Sequence, residues 1–441
     1  MKQLTWALAL LCLPAMGKAS PTPTPGDSLL HLSLHEVWDL AAQHSRAVAM
    51  KNKQVAIRGE SLKDAQAERF PEVDIAGNYE KATNIPVYDN GLFHTPSQHE
   101  VIHTLYKVGA DFYLNLYNGN KLNLKIAEEK VAQQIAGIQQ QQTLSDIRYA
   151  ATAGYLELQK SMVYKQLVLA DIENQEKQLE EIRENYRDGV VLKSDVLRVE
   201  LDLSRRKLLL VQIDNDILLA NQQLNILIGE DDERPVMPDS IPMSDFTTAT
   251  YEQYLQTAME HAFSYHISEQ ETQLRKIALQ QVKANVSPKI GLYGDFYYAN
   301  PQIFLYPYNP HLYSLGISGV RASFPLSSLY HNPHKVKEAA LELEKEEIAH
   351  QDVADKIRQQ VKAAYLRYQE ALVQIQVAKA NIDQATENAR IIKNTYFNHT
   401  SLITDLLDAD VQVLQTRFEL VAARVAAQNK YYLLQNVIGT L

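Results

Sequence analysis

The sequence predicts a mainly α-helical protein with a small β part, in which long coiled-coil hairpins occur twice and four β-strands belong to each chain. Three observations carry the prediction. The first is an internal repeat. Residues 34–77 reappear at 251–294, so that His44 falls on His261, Pro71 on Pro288 and Gly77 on Gly294, a constant offset of 217 residues. Residues 144–229 reappear 210 residues further on, with Tyr155 on Tyr365, Tyr186 on Tyr396, Asp195 on Asp405 and Leu224 on Leu434. Two blocks in one order indicate a duplicated structural unit. The second observation is a set of long, nearly proline-free stretches whose apolar residues step by sevens. Ala151, Leu158, Ile172, Leu179 and Tyr186 form one such row, and Val361, Tyr368, Ile375, Ile382, Ala389 and Tyr396 form its counterpart. Sustained heptads point to coiled-coil packing. The third is a change of period from about 3.6 to 2 in four segments of roughly ten residues.

In chain order, residues 1–19 carry Lys2, an apolar run from Leu4 to Leu13 and a small-residue end at Ala19. That is the layout of a secretory signal peptide. The single cysteine, Cys12, lies within it, so the mature chain is expected to hold no thiol, disulfide or cysteine metal site. Losing Lys2 and Lys18 takes the formal charge from −10 to −12. So acidic a product has little with which to neutralise phosphates, and nucleic acid is not an expected partner. No run of 18 apolar residues follows, so contact with a membrane would have to use strands. Residues 20–32, rich in proline, are expected to be disordered.

The first repeat spans 33–229. A short helix and an amphipathic covering helix lead to strands at about 72–82 and 104–116. A long helix at about 120–187 and a return helix at about 193–229 follow, with Gly189 as the helix stop between them and Ser194 as the expected cap. Residues 230–249, acidic and proline-containing, form a linker. The second repeat spans 250–441, with strands at about 289–299 and 312–324, a long helix at about 333–397 and a return helix at about 402–439. A helix of about 65 residues is on the order of 100 Å long, twice the length of its return partner.

In the strands Val73, Ile75 and Tyr79 alternate with Glu72, Asp74 and Asn78, and Tyr106, Val108, Phe112 and Leu114 alternate with Lys107, Asp111 and Asn115. Length, dyad pattern and terminal tyrosines suit membrane-barrel strands, although alternation by itself equally describes a half-exposed soluble sheet. Four strands cannot close, and an open edge in lipid leaves backbone groups unsatisfied. A barrel must then be shared, by two chains with eight strands or by three with twelve.

The duplicated order, together with the tip segments Tyr186-Arg187-Asp188-Gly189 and Tyr396-Phe397-Asn398-His399 and the acids Asp195, Asp405 and Asp408 that follow them, resembles the outer-membrane efflux protein family. These are the TolC-like channel-tunnels of Gram-negative bacteria. The resemblance covers about residues 34–441 and implies a homotrimer with a twelve-stranded outer-membrane β-barrel in lipid and a periplasmic α-barrel. It further implies docking to a periplasmic adaptor (membrane fusion) protein and an inner-membrane pump, of resistance-nodulation-division type for small-molecule efflux. A type I polypeptide secretion duct is the alternative, and a soluble periplasmic coiled-coil scaffold a more distant one.

Carried over by position, the resemblance assigns Tyr396, Asp405 and Asp408 to the periplasmic constriction and Tyr186, Gly189 and Asp195 to the adaptor-contacting tip. On spacing alone two aspartates three residues apart read as a solvated helix face. The family carries an arginine latch four residues before the first aspartate, where this chain has Ser401. No enzyme motif, cofactor or metal site is expected: phosphate-loop, nucleophile-elbow and His-Glu-x-x-His patterns are lacking, and His94, His99 and His103 read as a solvated loop.

Overall fold

The computed structural model describes residues 29–240, 249–302 and 309–441. The signal peptide expected at 1–19 lies outside the described residues, as does most of the proline-rich lead-in. The last residues of that lead-in are ordered. Strand β1 (Leu30–Leu32) pairs in parallel with β6 (Val236–Pro238) from the inter-repeat linker. Tyr155 fastens both, its hydroxyl donating to the carbonyls of Leu32 and Asp239 at 2.9 Å each. Composition reports the proline content of these segments but not the long-range pairing.

Each repeat begins with a capped helix pair. Ser33 and Glu36 form a capping box on α1 (Leu34–His44), and Thr250 and Gln253 form its counterpart on α5 (Tyr251–His261), two orphan backbone donors being satisfied each time. The covering helices α2 (Arg46–Ala67) and α6 (Phe263–Lys283) follow. Helices α3 (Lys121–Arg187) and α7 (Ser328–Phe397) run 67 and 70 residues. Their returns, α4 (Lys193–Ile228) and α8 (Ile403–Ile438), run 36 each and so cover about half of them. The remaining half is covered by α2 on α3 and by α6 on both α7 and α3. Val131 and Ile135 of α3 meet Ile277 of α6 there, which joins the two repeats.

Two starts differ from expectation. Helix α7 begins at Ser328 and carries Pro333 in its second turn, where the missing N–H removes one i→i−4 hydrogen bond. At α4 the cap position is Leu192, and Ser194 lies inside the first turn with its hydroxyl near Asp195.

The return helices end on the same device. Gly229 and Gly439 adopt φ of 76° and 80°, and a side chain at either would collide with a histidine at the end of the repeat's first helix: the His44 ring, or the His261 backbone. The offset of 210 between the glycines and 217 between the histidines makes these joints equivalent.

Strands β2 (Glu72–Lys81), β5 (Thr104–Tyr117), β7 (Lys289–Asn300) and β8 (Tyr313–Ser323) form one antiparallel sheet in that order. The β5–β7 ladder unites the repeats, and β2 and β8 are its edges. A small hairpin, β3 (Ile85–Val87) and β4 (Ser97–His99), extends from the loop between β2 and β5. Among the described residues no helix is long and apolar enough to cross a membrane.

Candidate functional site

The ladder register separates the sheet into two chemically distinct faces. Val73, Ile75 and Tyr79 lie abreast of Phe112, Ala110 and Tyr106, and these lie beside Gly294, Phe296 and Asn300. This apolar face is bare: Ile75 is 83% exposed, and Val73, Val108, Phe296 and Val320 are exposed with it. A soluble sheet covers such a face with a second layer, because uncovered apolar area costs about 25 cal/mol per Å².

The other face carries Asp74, Lys107, Asp111, Asp295 and Arg321. Asp74 pairs directly with Asp111, and Asp111 with Asp295, so three carboxylates stand in one row across the sheet. Lys107 lies 3.8 Å from Asp295 and 3.8 Å from the centroid of the Tyr297 ring, and Arg321 lies over Tyr293. Sequence alternation puts each aspartate on the polar phase of its strand. Their alignment depends on register, which alternation does not give. Strand β8 is the irregular one: Leu315 and Ile317 fall on the charged face, and Ser314, Gly316 and Ser318 on the apolar face.

At the opposite end of the molecule the two helical tips lie together. Gly189 closes α3 with φ 76°, and the amide of Val190 donates to the Asn185 carbonyl at 2.8 Å. His399 repeats this at the end of α7 with φ 62°, and the Thr400 amide donates to Thr395 at 2.9 Å. Tyr186 and Gly189 are exposed at the first tip, and Asp195 is half-buried in the first turn of α4.

Asp405 and Asp408 are exposed on one face of α8, and Asp405 accepts from the Leu402 amide at 3.2 Å. Tyr396 is placed apart from that face. It is 6% exposed, belongs to the apolar cluster that also holds Ile403 and Leu406 and extends to Leu179, Ile182 and Val196 of the other hairpin, and its hydroxyl has no hydrogen-bond partner among the described residues. Burial first, and the neighbouring charge of Asp195 second, push the Tyr396 phenol up to about 12. Ser401 is turned inward on its own hairpin, 3.2 Å from the Thr395 hydroxyl and 3.4 Å from the Ile392 carbonyl, and makes no bond to the other hairpin.

Between the hairpins lies a buried polar cluster that the sequence reading did not single out. Arg206 of α4, 4% exposed, donates from Nε to Asp202 at 2.7 Å and from Nη1 to Asp171 of α3. Asp410 of α8 accepts from Gln175 and Gln178 of α3 at 2.9 and 3.1 Å, tying one hairpin to the other. Burial raises the Asp171 carboxyl above its ordinary range, outweighing the pull of Arg206, and Asp410 and Asp202 add to the rise. A polar residue in a heptad row was the available signal, but only the fold brings these six together.

The histidines of the β2–β5 loop sit apart from both regions. His103 is 2.8 Å from the Asn84 side-chain oxygen, and no group of three or more potential metal ligands assembles among the described residues.

The architecture is similar to that of solved outer-membrane channels. The chain is similar to VceC, an outer-membrane protein of Vibrio cholerae, with 16% identity, a TM-score of 0.74 and coverage of 92% of this chain and 96% of that one. It is similar to CusC, which forms a transmembrane channel, with 12% identity, a TM-score of 0.78 and 95% of each chain covered. It is similar also to the CmeC outer-membrane channel of Campylobacter jejuni, with 13% identity, a TM-score of 0.73, and 92% and 85% covered. No family model and no curated protein matches the sequence. The chain therefore has the channel-tunnel fold, with long helical hairpins at one end and an open four-stranded sheet at the other.

Proposed function

We propose that three copies of this chain pool their sheets into a twelve-stranded barrel in the outer membrane and their hairpins into a periplasmic tunnel. The assembly is the passive exit duct of a tripartite efflux system. A periplasmic adaptor and an inner-membrane pump, of resistance-nodulation-division type, deliver the substrate and supply the energy. One observation carries the reading: a sheet of four strands ends in two edges and leaves a largely apolar face bare, with Val73, Ile75, Val108, Phe296 and Val320 exposed on it. In lipid that face is solvated by acyl chains, and the edges are satisfied only by the edges of further copies. The charged face then lines the lumen, where the Asp74, Asp111 and Asp295 rows of three copies form a belt of carboxylates.

At the other end Asp405 and Asp408 face the mouth, six carboxylates in three copies, while Tyr396 supports them from behind as an apolar buttress. The exposed tip residues Tyr186 and Gly189, with Asp195 beside them, are the surface offered to the adaptor. Opening is a shift between two packings of the hairpins, favoured by whatever binds the outward form more tightly.

The test is reconstitution. Protein extracted from outer membranes with detergent should have the mass of three chains and conduct ions in a planar bilayer, and disrupting its gene should sensitise the host to small toxic compounds. Protein that is monomeric and soluble without detergent overturns the proposal.

A further inference from the structure

The register of the charged face stacks three unlike rows along the strands. Asp111 and Asp295 stand abreast in the first, Tyr113 and Tyr293 in the second, and Gly291 and Arg321 in the third. Successive rows on one face are two residues, or about 7 Å, apart. Both tyrosine rings lie close against the sheet because a glycine of the next strand makes room for them. A Cβ on Gly291 would come within 2.6 Å of the Tyr113 ring, and one on Gly319 within 3.3 Å of the Tyr293 ring. Above these rows is an open cavity of about 520 Å³, also lined by Asn78 and Lys107. That volume is in the range of small-molecule sites.

The charged groups of the cavity are unequally committed. Lys107 and Asp295 pair with each other at 3.8 Å. Asp111 and Arg321 form no ion pair among the described residues, which leaves one carboxylate and one guanidinium for a ligand. Arg321 reaches back over Tyr293, 4.6 Å from the ring centroid, so its charge stands at the tyrosine row. The carboxylates are one row away, roughly 7 Å. Tyr113 has no ring or cation stacked on it among the described residues, and its open face is the floor between the two charges. A ligand that satisfies all three groups carries a cation and an anion at opposite ends of a flat aromatic body.

We propose that this cavity is a resting site for planar aromatic zwitterions on their way through the duct. The ligand's ammonium pairs with Asp111, its ring stacks on Tyr113, and its carboxylate accepts from the Arg321 guanidinium. A simple cation leaves Arg321 unmatched, a simple anion meets the row of aspartates, and an aliphatic zwitterion gains both charges without the stacking. The inference rests on the duct proposed above, which turns this face to the lumen, and adds a class of substrate to it. Three copies bring three such sites to one level of the barrel. Weak binding at each suits passage, because conduction needs sites that hold a solute briefly and release it.

The probe is para-aminomethylbenzoate, added to single channels of the detergent-extracted protein in a planar bilayer. Benzylamine, benzoate and the ring-free zwitterion ε-aminocaproate serve as comparisons. The expected result is a concentration-dependent block by the probe at about a tenth of the concentration that any comparison compound requires. Tyr113→Leu and Arg321→Gln should each raise its half-blocking concentration about tenfold, while Tyr113→Phe, which keeps the ring, should leave it unchanged. Equal block by all the compounds, block by none of them, or a block that neither Tyr113→Leu nor Arg321→Gln weakens overturns this site and leaves the duct reading standing. Extracted protein that forms no channels before any substitution overturns both.

Discussion

The two tyrosines at equivalent tip positions have opposite environments: Tyr186 is exposed, and Tyr396 is buried with an unpaired hydroxyl. A buried hydroxyl without a partner costs about 1–3 kcal/mol. Tyr396→Phe should therefore be neutral or stabilising by up to about 1 kcal/mol, whereas Tyr396→Ala, which leaves a cavity between the hairpins, should cost about 3–5 kcal/mol locally. Hydrogen exchange across the tip distinguishes the two, and a large loss of protection in Tyr396→Phe would falsify the buttress role. Asp171 sets a pH dependence whose sign follows from burial. Its carboxyl is raised in the packed tip, so its contribution is fully present when it is protonated in both packed and separated hairpins. That contribution is lost as pH rises through the raised value and the buried group ionises. Tip protection should accordingly fall as pH rises from the ordinary carboxylate range towards neutrality, and Asp171→Asn should flatten that slope. Arg206 is the reason the cluster is tolerated at all. Its removal leaves Asp171 and Asp202 buried without a counter-charge, a change of about 3–5 kcal/mol in comparable sites.

At the scale of elements, the joints that close each repeat are equivalent in position and in intolerance. Gly439→Ala meets a left-handed φ and the rigid His261 carbonyl at 2.3 Å, and Gly229→Ala meets a similar φ and the His44 side chain as far back as its Cβ at 2.6 Å, which ring rotation does not move. Both changes should destabilise, each by more than the roughly 1–2 kcal/mol of the φ alone, as read from thermal unfolding in detergent. These joints also indicate what was legible beforehand. The helices, strands and turn glycines announce themselves because each depends on local period, capping or φ, and the repeat offset states every element twice. What was hidden depends on contacts distant in sequence. The β1–β6 pairing, the row Asp74–Asp111–Asp295 and the Arg206 cluster all require a register or a helix crossing that no local pattern encodes. Tyr396 belongs to the same class, since heptad position gives the helix face but not which neighbour covers it.

For the whole molecule, the aspartate row makes a functional statement that the single chain cannot express. Like charges directly opposite in a sheet are unfavourable, by a few tenths to about 1 kcal/mol per pair. Lys107 offsets only part of this, through Asp295. A sheet that keeps three carboxylates abreast is therefore less stable than its neutral variant, and in a closed barrel the row becomes a belt with a strong negative potential. Fields of that kind concentrate counter-ions in the lumen and repel anions. Asp111 is the member to change, because it faces an aspartate on both sides. Asp111→Asn should leave the assembly intact and slightly more stable, and should lower cation-over-anion selectivity in reversal-potential measurements across a salt gradient. The effect should shrink as salt is raised, because screening shortens the reach of the belt to about 3 Å at 1 M. An unchanged reversal potential at low salt would mean that this face does not line the conducting path. The apolar face would then need a protein cover in place of lipid, and the barrel reading of the sheet would fail with it.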